Sequence, residues 1–209
     1  MPTFRDNPTS KQRGAERVME LARQRRILRP KDLEPYGLDP ILLRRLQAAG
    51  RLERRARGIY VPSDGNFSEQ QMLAETTIRI PHGVVCLLSA LRFHDLTTQN
   101  PTEIWLAIDH HARTPRVPEI PLRIVRFSGA ALTAGVAVHK IDGTPVRVYD
   151  AAKTVADCFK FRNKIGVDIA IEALRDYLRR RNRKIDALWR YAAIDRVQTV
   201  IRPYLEAAA

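Results

Sequence analysis

Residues 39–62 read Asp-Pro-Ile-Leu-Leu-Arg-Arg-Leu-Gln-Ala-Ala-Gly-Arg-Leu-Glu-Arg-Arg-Ala-Arg-Gly-Ile-Tyr-Val-Pro, and this stretch decides the fold of the N-terminal part of the chain. Asp39 followed by Pro40 is typical of a helix start, with aspartate as the N-cap and proline at the first helical position. Apolar residues then recur at helical spacing until Gly50, which predicts a short helix with one buried stripe. That stripe consists of Leu42, Leu43, Leu46 and Ala49.

The outward side of this helix is basic, and a basic hairpin follows it. Ile41 and Ala48 share that outward side with the polar residues. Behind the helix, two short apolar runs flank a turn at Arg57-Gly58, which predicts two strands. We expect the helix to face the major groove of DNA and the hairpin to contact the phosphate backbone. The candidate base-reading residues are Arg44, Arg45 and Gln47, and the candidate backbone contacts are Arg54, Arg55 and Arg57.

The residues before this stretch complete a helix-turn-helix pattern. Apolar residues recur at spacings of three and four from residue 11 onward, which predicts a first helix. Pro30 opens a second short helix with Leu33 facing inward. Tyr36-Gly37 ends it, because glycine accepts the left-handed backbone that other residues resist. Helix, short helix, glycine turn, helix and basic hairpin together predict a winged helix-turn-helix.

Composition and charge agree with an anionic partner. The 209 residues are 44% apolar and carry a net charge of +13, with a pI near 10.4. Residues 1–62 hold 15 lysines and arginines against 7 acidic residues, a net of +8. Such an excess favours nucleic acid as the partner. No apolar run is long enough for a membrane span and residues 1–11 lack a signal-peptide pattern, so we expect a cytoplasmic protein with no membrane partner.

The rest of the chain predicts a second domain, so that the whole protein is α+β. Ser68 with Gln71 resembles a capping box at a helix start, and residues 84–91 read as a buried apolar helix. Strands are predicted at 103–108 and 122–127, followed by a hairpin with its turn at Asp142-Gly143. Four helices follow within residues 151–205, the first capped by Asp150. The predicted organisation is a flexible arm (1–11), a winged helix-turn-helix (12–62), a linker (63–67) and a mixed domain (68–209) with a small β-sheet and a C-terminal helical cluster.

Neither metal binding nor catalysis is favoured by the remaining polar residues. His110 and His111 are adjacent and lack a metal-ligand spacing, and the two cysteines, Cys86 and Cys158, are expected to be buried thiols. Asp109 follows a predicted strand without a second carboxylate to share a divalent ion. We therefore expect no enzyme activity, no cofactor and no metal. A charged face on the first of the four helices is explained by ion pairs at helical spacing, although acid-base work is the alternative. Its members are Asp150, Lys153, Asp157 and Lys160.

A second basic cluster lies near the C-terminus, where six of ten residues are cationic. Cations at a helix C-terminus complement its dipole, but this number exceeds what capping requires. A second contact to DNA or an acidic partner surface is the alternative. The cluster consists of Arg175, Arg179, Arg180, Arg181, Arg183 and Lys184.

Several stretches in this order resemble the AbiEi-type antitoxins of bacterial type IV toxin–antitoxin systems. They are Gly-Arg-Leu-Glu-Arg-Arg-Ala-Arg-Gly-Ile-Tyr-Val-Pro at 50–62, Pro-His-Gly-Val-Val-Cys-Leu-Leu-Ser-Ala-Leu at 81–91, Val-Tyr-Asp-Ala-Ala-Lys-Thr-Val-Ala-Asp-Cys-Phe at 148–159, Asp-Ile-Ala-Ile-Glu-Ala-Leu-Arg at 168–175 and Arg-Pro-Tyr-Leu-Glu at 202–206.

The resemblance implies a protein with two functions. The winged domain would bind inverted repeats in operator DNA and repress its own operon. The second domain would counteract a toxin of the nucleotidyltransferase type without a stable complex, and residues Lys153 to Asp157 are a candidate antitoxin surface. Two alternatives stay open: a stand-alone regulator whose second domain senses a ligand, and a DNA-acting nuclease.

Overall fold

The structure is a computed structural model that describes residues 10–65 and 68–207. The chain divides into two compact units: Met1–Gln71 with Asp142–Thr144, and Met72–Ile141 with Pro145–Ala209. The predicted arm lies outside the described residues except for residues 10 and 11, which belong to the first helix. Residues 66 and 67 of the predicted linker also lie outside them.

The first unit has the predicted order of elements. Helix α1 is followed by two turns of 3-10 helix in place of the second short helix, and Gly37 ends them with a φ of 63°. A left-handed backbone is unfavourable for residues with a Cβ, which explains the glycine. The bounds are α1 (Ser10–Arg25), the turns Pro30–Asp32 and Glu34–Tyr36, α2 (Ile41–Ala48), β1 (Leu52–Ala56) and β2 (Ile59–Pro62).

The core of the first unit is built from one face of each helix and the inner side of the hairpin. Leu28 pairs with Tyr60 through two backbone hydrogen bonds of 2.8 and 2.9 Å, so the segment after α1 forms a bridge to the second strand of the hairpin. The prediction that Ala49 belongs to the buried stripe of α2 is wrong: Ala49 is exposed, because the helix has already ended at Ala48. The core contains Val18, Leu21, Ala22, Leu28, Leu33, Leu43, Leu46, Leu52 and Tyr60.

Helix α3 (Glu69–Arg79) begins with the predicted capping box. The Gln71 amide donates to Ser68 Oγ at 3.2 Å, and the Ser68 amide donates to Gln71 Oε1 at 2.9 Å. These two bonds satisfy amides that the first turn of a helix leaves unpaired.

A five-stranded sheet lies at the centre of the second unit, in the order β5-β4-β3-β7-β6. Strand β3 pairs antiparallel with β4 and parallel with β7, and β4 pairs parallel with β5. The predicted strands and the Asp142-Gly143 hairpin turn are confirmed. The bounds are β3 (Val84–Val85), β4 (Ile104–Asp109), β5 (Leu122–Phe127), β6 (Val136–Ile141) and β7 (Thr144–Tyr149).

The prediction of one helix over residues 84–91 is wrong. Val84 and Val85 form the central strand of the sheet, and helix α4 begins only at Leu87. A short apolar run has the same appearance in a buried strand and a buried helix, so its periodicity cannot separate the two. Here pairing with β4 and β7 on both sides decides for the strand.

The helices of the second unit pack around α6, which contacts α4, α8 and α9. The four helices predicted after residue 150 are confirmed, and the structure adds a fifth, four-residue helix at Arg162–Ile165. The Asp150 carboxylate caps α6 by accepting from the Lys153 amide at 2.8 Å. With its small sheets and C-terminal helices the chain is α+β, as predicted. The bounds are α4 (Leu87–Phe93), α5 (Ala130–Thr133), α6 (Ala151–Lys160), α7 (Arg162–Ile165), α8 (Val167–Arg179), α9 (Ile185–Ile194) and α10 (Gln198–Glu206).

Candidate nucleic-acid interface

Helix α2 buries its leucines and exposes its polar residues. Leu42, Leu43 and Leu46 are at most 9% exposed, so they hold the helix against the core of the first unit. The predicted base-reading residues lie on the other side, and all three are exposed: Arg44, Arg45 and Gln47.

The position of α2 is fixed by the residues that precede it. Asp39 Oδ1 accepts from the Ile41 amide at 2.8 Å, so the aspartate holds the start of the helix. The predicted start is wrong by one residue: Pro40, not Asp39, is the N-cap, and the helix begins at Ile41. Before it, Arg29 donates from Nε and Nη2 to the two oxygens of Asp32, each at 3.0 Å. A two-point contact of this kind holds both side chains in one orientation. The contact therefore stabilises the first of the two 3-10 turns, Pro30–Asp32.

The hairpin has the geometry of a wing. Strands β1 and β2 are antiparallel, with Arg54 opposite Tyr60 and Ala56 opposite Ile59. Arg55 is the extra residue between these pairs and forms a bulge. A bulge increases the local twist and changes the direction of the side chains at the end of the ladder. The hairpin thus carries basic residues on its strand, at its bulge and at its turn, which are Arg54, Arg55 and Arg57.

Two of the wing arginines have partners within the hairpin. Arg55 Nη1 lies 3.3 Å from Glu53 Oε1, and Arg54 Nε donates to the Ala56 carbonyl at 3.3 Å. The Arg55–Glu53 ion pair is at the surface, where such a pair contributes little to stability. The Arg54 contact is a hydrogen bond to a backbone carbonyl and is also at the surface. Arg57 is exposed at the turn. The wing therefore offers three guanidinium groups that a phosphate can reach.

Tyr36 contacts two arginines at the surface, which the sequence pattern does not predict. The pattern marks Tyr36 only as the end of a helix. Tyr36 is 41% exposed and its ring is flanked by two arginines. The Arg17 and Arg25 guanidinium carbons lie 6.0 and 5.8 Å from the ring centroid. Arginine over an aromatic face is a cation–π contact. The sequence shows that Arg17 and Arg25 are both on α1, but only the fold shows that Tyr36 lies beside them.

The second basic cluster does not present all six of its cations in the same way. Arg180 donates to the carbonyls of His94 and Asp95, so it holds the turn after α4. Arg179 pairs with Asp176 at 3.1 Å, and both side chains reach solvent. The exposed members are Arg175, Arg179, Arg181, Arg183 and Lys184. Five of the six predicted residues therefore lie on the surface.

The assignment of Lys153 and Asp157 to an antitoxin surface is wrong, because neither side chain has any exposed area. They form a buried ion pair that also includes Asp195, whose Oδ2 lies 3.2 Å from Lys153 Nζ. The predicted i,i+4 pair exists, but its setting is the core. From sequence, the charged residues of α6 look like a solvent-exposed face. Their burial depends on Asp195, which is too distant in sequence for the local pattern to reveal it.

The other chemical candidates have structural roles. Asp109 Oδ1 accepts from the His111 amide at 2.8 Å and so closes the turn after β4. Cys86 and Cys158 are buried free thiols, and burial raises the pKa of both. Among the residues that the structure describes, no group of three histidine, cysteine or acidic residues is arranged to hold a metal ion. Nor is any helix within those residues long and apolar enough to cross a membrane.

An exposed arginine-bearing helix after a tight turn, followed by a basic hairpin, defines the winged helix-turn-helix class of DNA-binding modules. Residues 16–63 match the family model of the AbiEi antitoxins, which are transcriptional regulators. The resemblance expected from the sequence is thereby confirmed for this segment. A search of curated proteins finds no match to the chain.

The fold as a whole is similar to the crystal structure of the RV2827C protein from Mycobacterium tuberculosis. The two share 19% sequence identity with a TM-score of 0.57, over 87% of this chain and 71% of that one. At this identity the likeness concerns the fold alone. It extends well beyond the winged segment and so includes elements of the second unit.

Proposed function

We propose that the chain is an autorepressor and an antitoxin. It binds inverted repeats in the operator of its own operon, represses that operon, and counteracts a toxin of the nucleotidyltransferase type without forming a stable complex. The observation that carries the proposal is the exposed Arg44 and Arg45 on α2 with a basic hairpin directly behind them. The match of residues 16–63 to AbiEi transcriptional regulators supports it.

The proposal assigns different roles to α2 and to the wing. Arg44 and Arg45 would donate to guanine edges and Gln47 would pair with adenine, because these are the geometries that distinguish base pairs in the major groove. The wing residues would contact phosphates and fix the position of the helix without reading sequence. The wing residues in this role are Arg54, Arg55 and Arg57.

The exposed part of the second basic cluster is proposed as an additional phosphate contact. It contains five cations, one of which, Arg179, is paired with Asp176 at the surface. The excess of positive charge gives a strong positive potential at the end of α8. Phosphate backbones are the ligands that such a surface attracts in a cell. Arg180 is not included, because its guanidinium already holds two backbone carbonyls.

A mobility-shift titration tests the regulator half. The probe is the DNA upstream of the protein's own gene, compared with a duplex of scrambled sequence. Arg44→Ala combined with Arg45→Ala should weaken operator binding by roughly 1–3 kcal/mol for each base pair that is no longer read. The matched control replaces two exposed arginines of the loop between β4 and β5, Arg113 and Arg116, by alanine. Equal binding by the two double variants would contradict the assigned DNA face.

Co-expression with the neighbouring nucleotidyltransferase gene tests the antitoxin half. The full chain should restore growth, and so should the full chain that carries Arg44→Ala and Arg45→Ala, because repression and neutralisation are assigned to different parts. Toxicity that persists with wild-type protein would remove the antitoxin function and leave a regulator. The proposal places the protein in the cytoplasm and assigns it no catalytic step, so cleavage of plasmid by the pure protein with magnesium would contradict it.

A further inference from the structure

The outward face of α2 carries apolar residues as well as arginines. Arg44 and Arg45 lie three and four residues after Ile41, and Ala48 lies four and three residues after them, so the four residues form one stripe along the helix. Ile41 is 38% exposed, whereas the three leucines of the same helix are at most 9% exposed. Ile41 is thus the large apolar residue of α2 that does not contribute to the core.

An isolated apolar residue on a surface requires no explanation in general. The position of Ile41 at the start of α2 distinguishes it from other exposed apolar residues. It is the first residue of α2, and its amide is held by Asp39 at 2.8 Å, so its backbone is fixed. Its β-branched side chain is also stiff about the first torsion. In helix-turn-helix proteins the N-terminal residues of the recognition helix are those that contact base edges.

We propose that Ile41 is a specificity-determining residue that contacts the C5-methyl group of a thymine in the major groove. The inference rests on the proposed function of α2. The thymine methyl is the apolar group that the major groove offers. A cytosine at the same position would present its amino group to a side chain that cannot accept a hydrogen bond, so Ile41 selects a T·A pair.

Ala48 lies two turns further along the same stripe and is also exposed. Its small side chain adds little bulk to this face, so it presents no large group that would keep α2 away from the bases.

The test removes one methyl group from the DNA and one side chain from the protein. A binding site is first selected by the wild-type protein from a pool of random duplexes. The selected duplex is then remade with uracil in place of one thymine at a time, which deletes only the C5-methyl. At one thymine of each half-site the wild-type protein should lose about fourfold in affinity, the effect of one buried methyl group.

The Ile41→Ala protein should bind the thymine and uracil duplexes equally at that position. Alanine is a strong helix former, so α2 is retained. Ile41→Val keeps the branched methyl groups and should keep most of the sensitivity to uracil. The matched control is Ile185→Ala, because Ile185 is also the first residue of a helix and is 41% exposed. This control should respond to uracil as the wild type does.

Two results would overturn the inference in distinguishable ways. In the first, a sequence is selected while uracil lowers the affinity of the wild-type and Ile41→Ala proteins by the same factor, or lowers neither. In that case the role proposed for Ile41 is wrong and the regulator function stands. If no sequence is enriched at all, the proposed function fails and the inference fails with it.

Discussion

Lys153 and Asp157 lie one turn apart on α6 and form an ion pair from which solvent is excluded. Asp195, directly after α9, lies 3.2 Å from Lys153 Nζ and 3.1 Å from Lys160 Nζ. Removal of a charge from water costs several kcal/mol, so each of these groups depends on its partners. The cluster therefore joins α6 to the end of α9.

Lys153→Met should destabilise the protein strongly. The substitution leaves Asp157 without its ammonium partner and removes one of the two partners of Asp195. Loss of one member of a buried pair typically costs about 3–5 kcal/mol. Urea denaturation followed by circular dichroism measures the change in the free energy of unfolding.

Lys160→Met is the matched control for this prediction. Lys160 also contacts Asp195, but its side chain is 32% exposed, so its loss should cost much less. The double variant Lys153→Met with Asp157→Leu should be more stable than Lys153→Met alone, because the stranded carboxylate is removed as well. If Lys153→Met and Lys160→Met lowered the free energy of unfolding equally, the buried pair would contribute no more to stability than the partly exposed one.

The same cluster predicts a dependence of stability on pH. Burial raises the pKa of Asp157, and the neighbouring Asp195 adds to this, while Lys153 opposes it. Asp157 Oδ2 is buried with no hydrogen-bond partner, so the charge that Asp157 carries in its pair with Lys153 is only partly compensated for its burial. Its ordinary pKa in the unfolded chain is about 3.9.

The folded state therefore binds a proton that the unfolded state has released. The resulting contribution to stability is fully present below the unfolded pKa of about 3.9 and is lost as pH rises toward the folded value. Relative to Asp157→Asn, the wild-type protein should lose stability on going from acidic to neutral pH. Urea midpoints of both proteins across that range measure it. A constant difference between them would contradict the raised pKa.

Gly135→Ala should destabilise the second unit because Gly135 has no room for a Cβ. Its φ is +73°, and an added Cβ would lie 2.6 Å from Lys153 Cβ. Backbone strain of about 1–2 kcal/mol and a similar cost of overpacking should add. Gly37→Ala is the control, since Gly37 has a φ of +63° and a ψ of 25°, with nothing within 4 Å of an added Cβ, and should show the strain alone. Thermal unfolding of the two variants gives the comparison.

The winged segment could be predicted from sequence because its signals are local. The aspartate before α2, the glycine at residue 37 and the turn at residues 57 and 58 each act within a few residues. The glycine and the turn lie as predicted, and Asp39 contacts the start of α2 one position before its N-cap. The exposure of Arg44 and Arg45 follows from the leucine spacing of α2 alone.

The second unit is harder to predict because its decisive contacts are distant in sequence. Val84 and Val85 become a strand only through pairing with β4 and β7. Lys153 becomes a core residue only because Asp195, 42 positions later, supplies a second carboxylate to its ammonium group. A charged residue at helical spacing is normally solvent-exposed, so no local pattern could have predicted this burial.

The C-terminal basic cluster should contribute to DNA affinity without contributing to sequence discrimination. Replacement of Arg175, Arg181 and Arg183 by alanine should weaken binding to operator and scrambled duplexes by the same factor, because phosphates carry no sequence information. Arg180→Ala is not a valid substitute, since it would release the turn after α4. Titration of both duplexes measures the two factors. A loss confined to the operator would indicate base contacts instead.

The wing arginines should contribute to the salt dependence of DNA binding. Arg55→Ala with Arg57→Ala removes two of the proposed phosphate contacts, and each contact contributes about 0.9 to the slope of log affinity against log salt concentration. The double variant should therefore bind operator with a slope shallower by roughly two units, while its preference for operator over scrambled DNA is kept. Arg44→Ala should do the reverse: it should reduce the preference and change the slope little. If both variants changed slope and preference together, the separation of a reading helix from a positioning wing would be wrong.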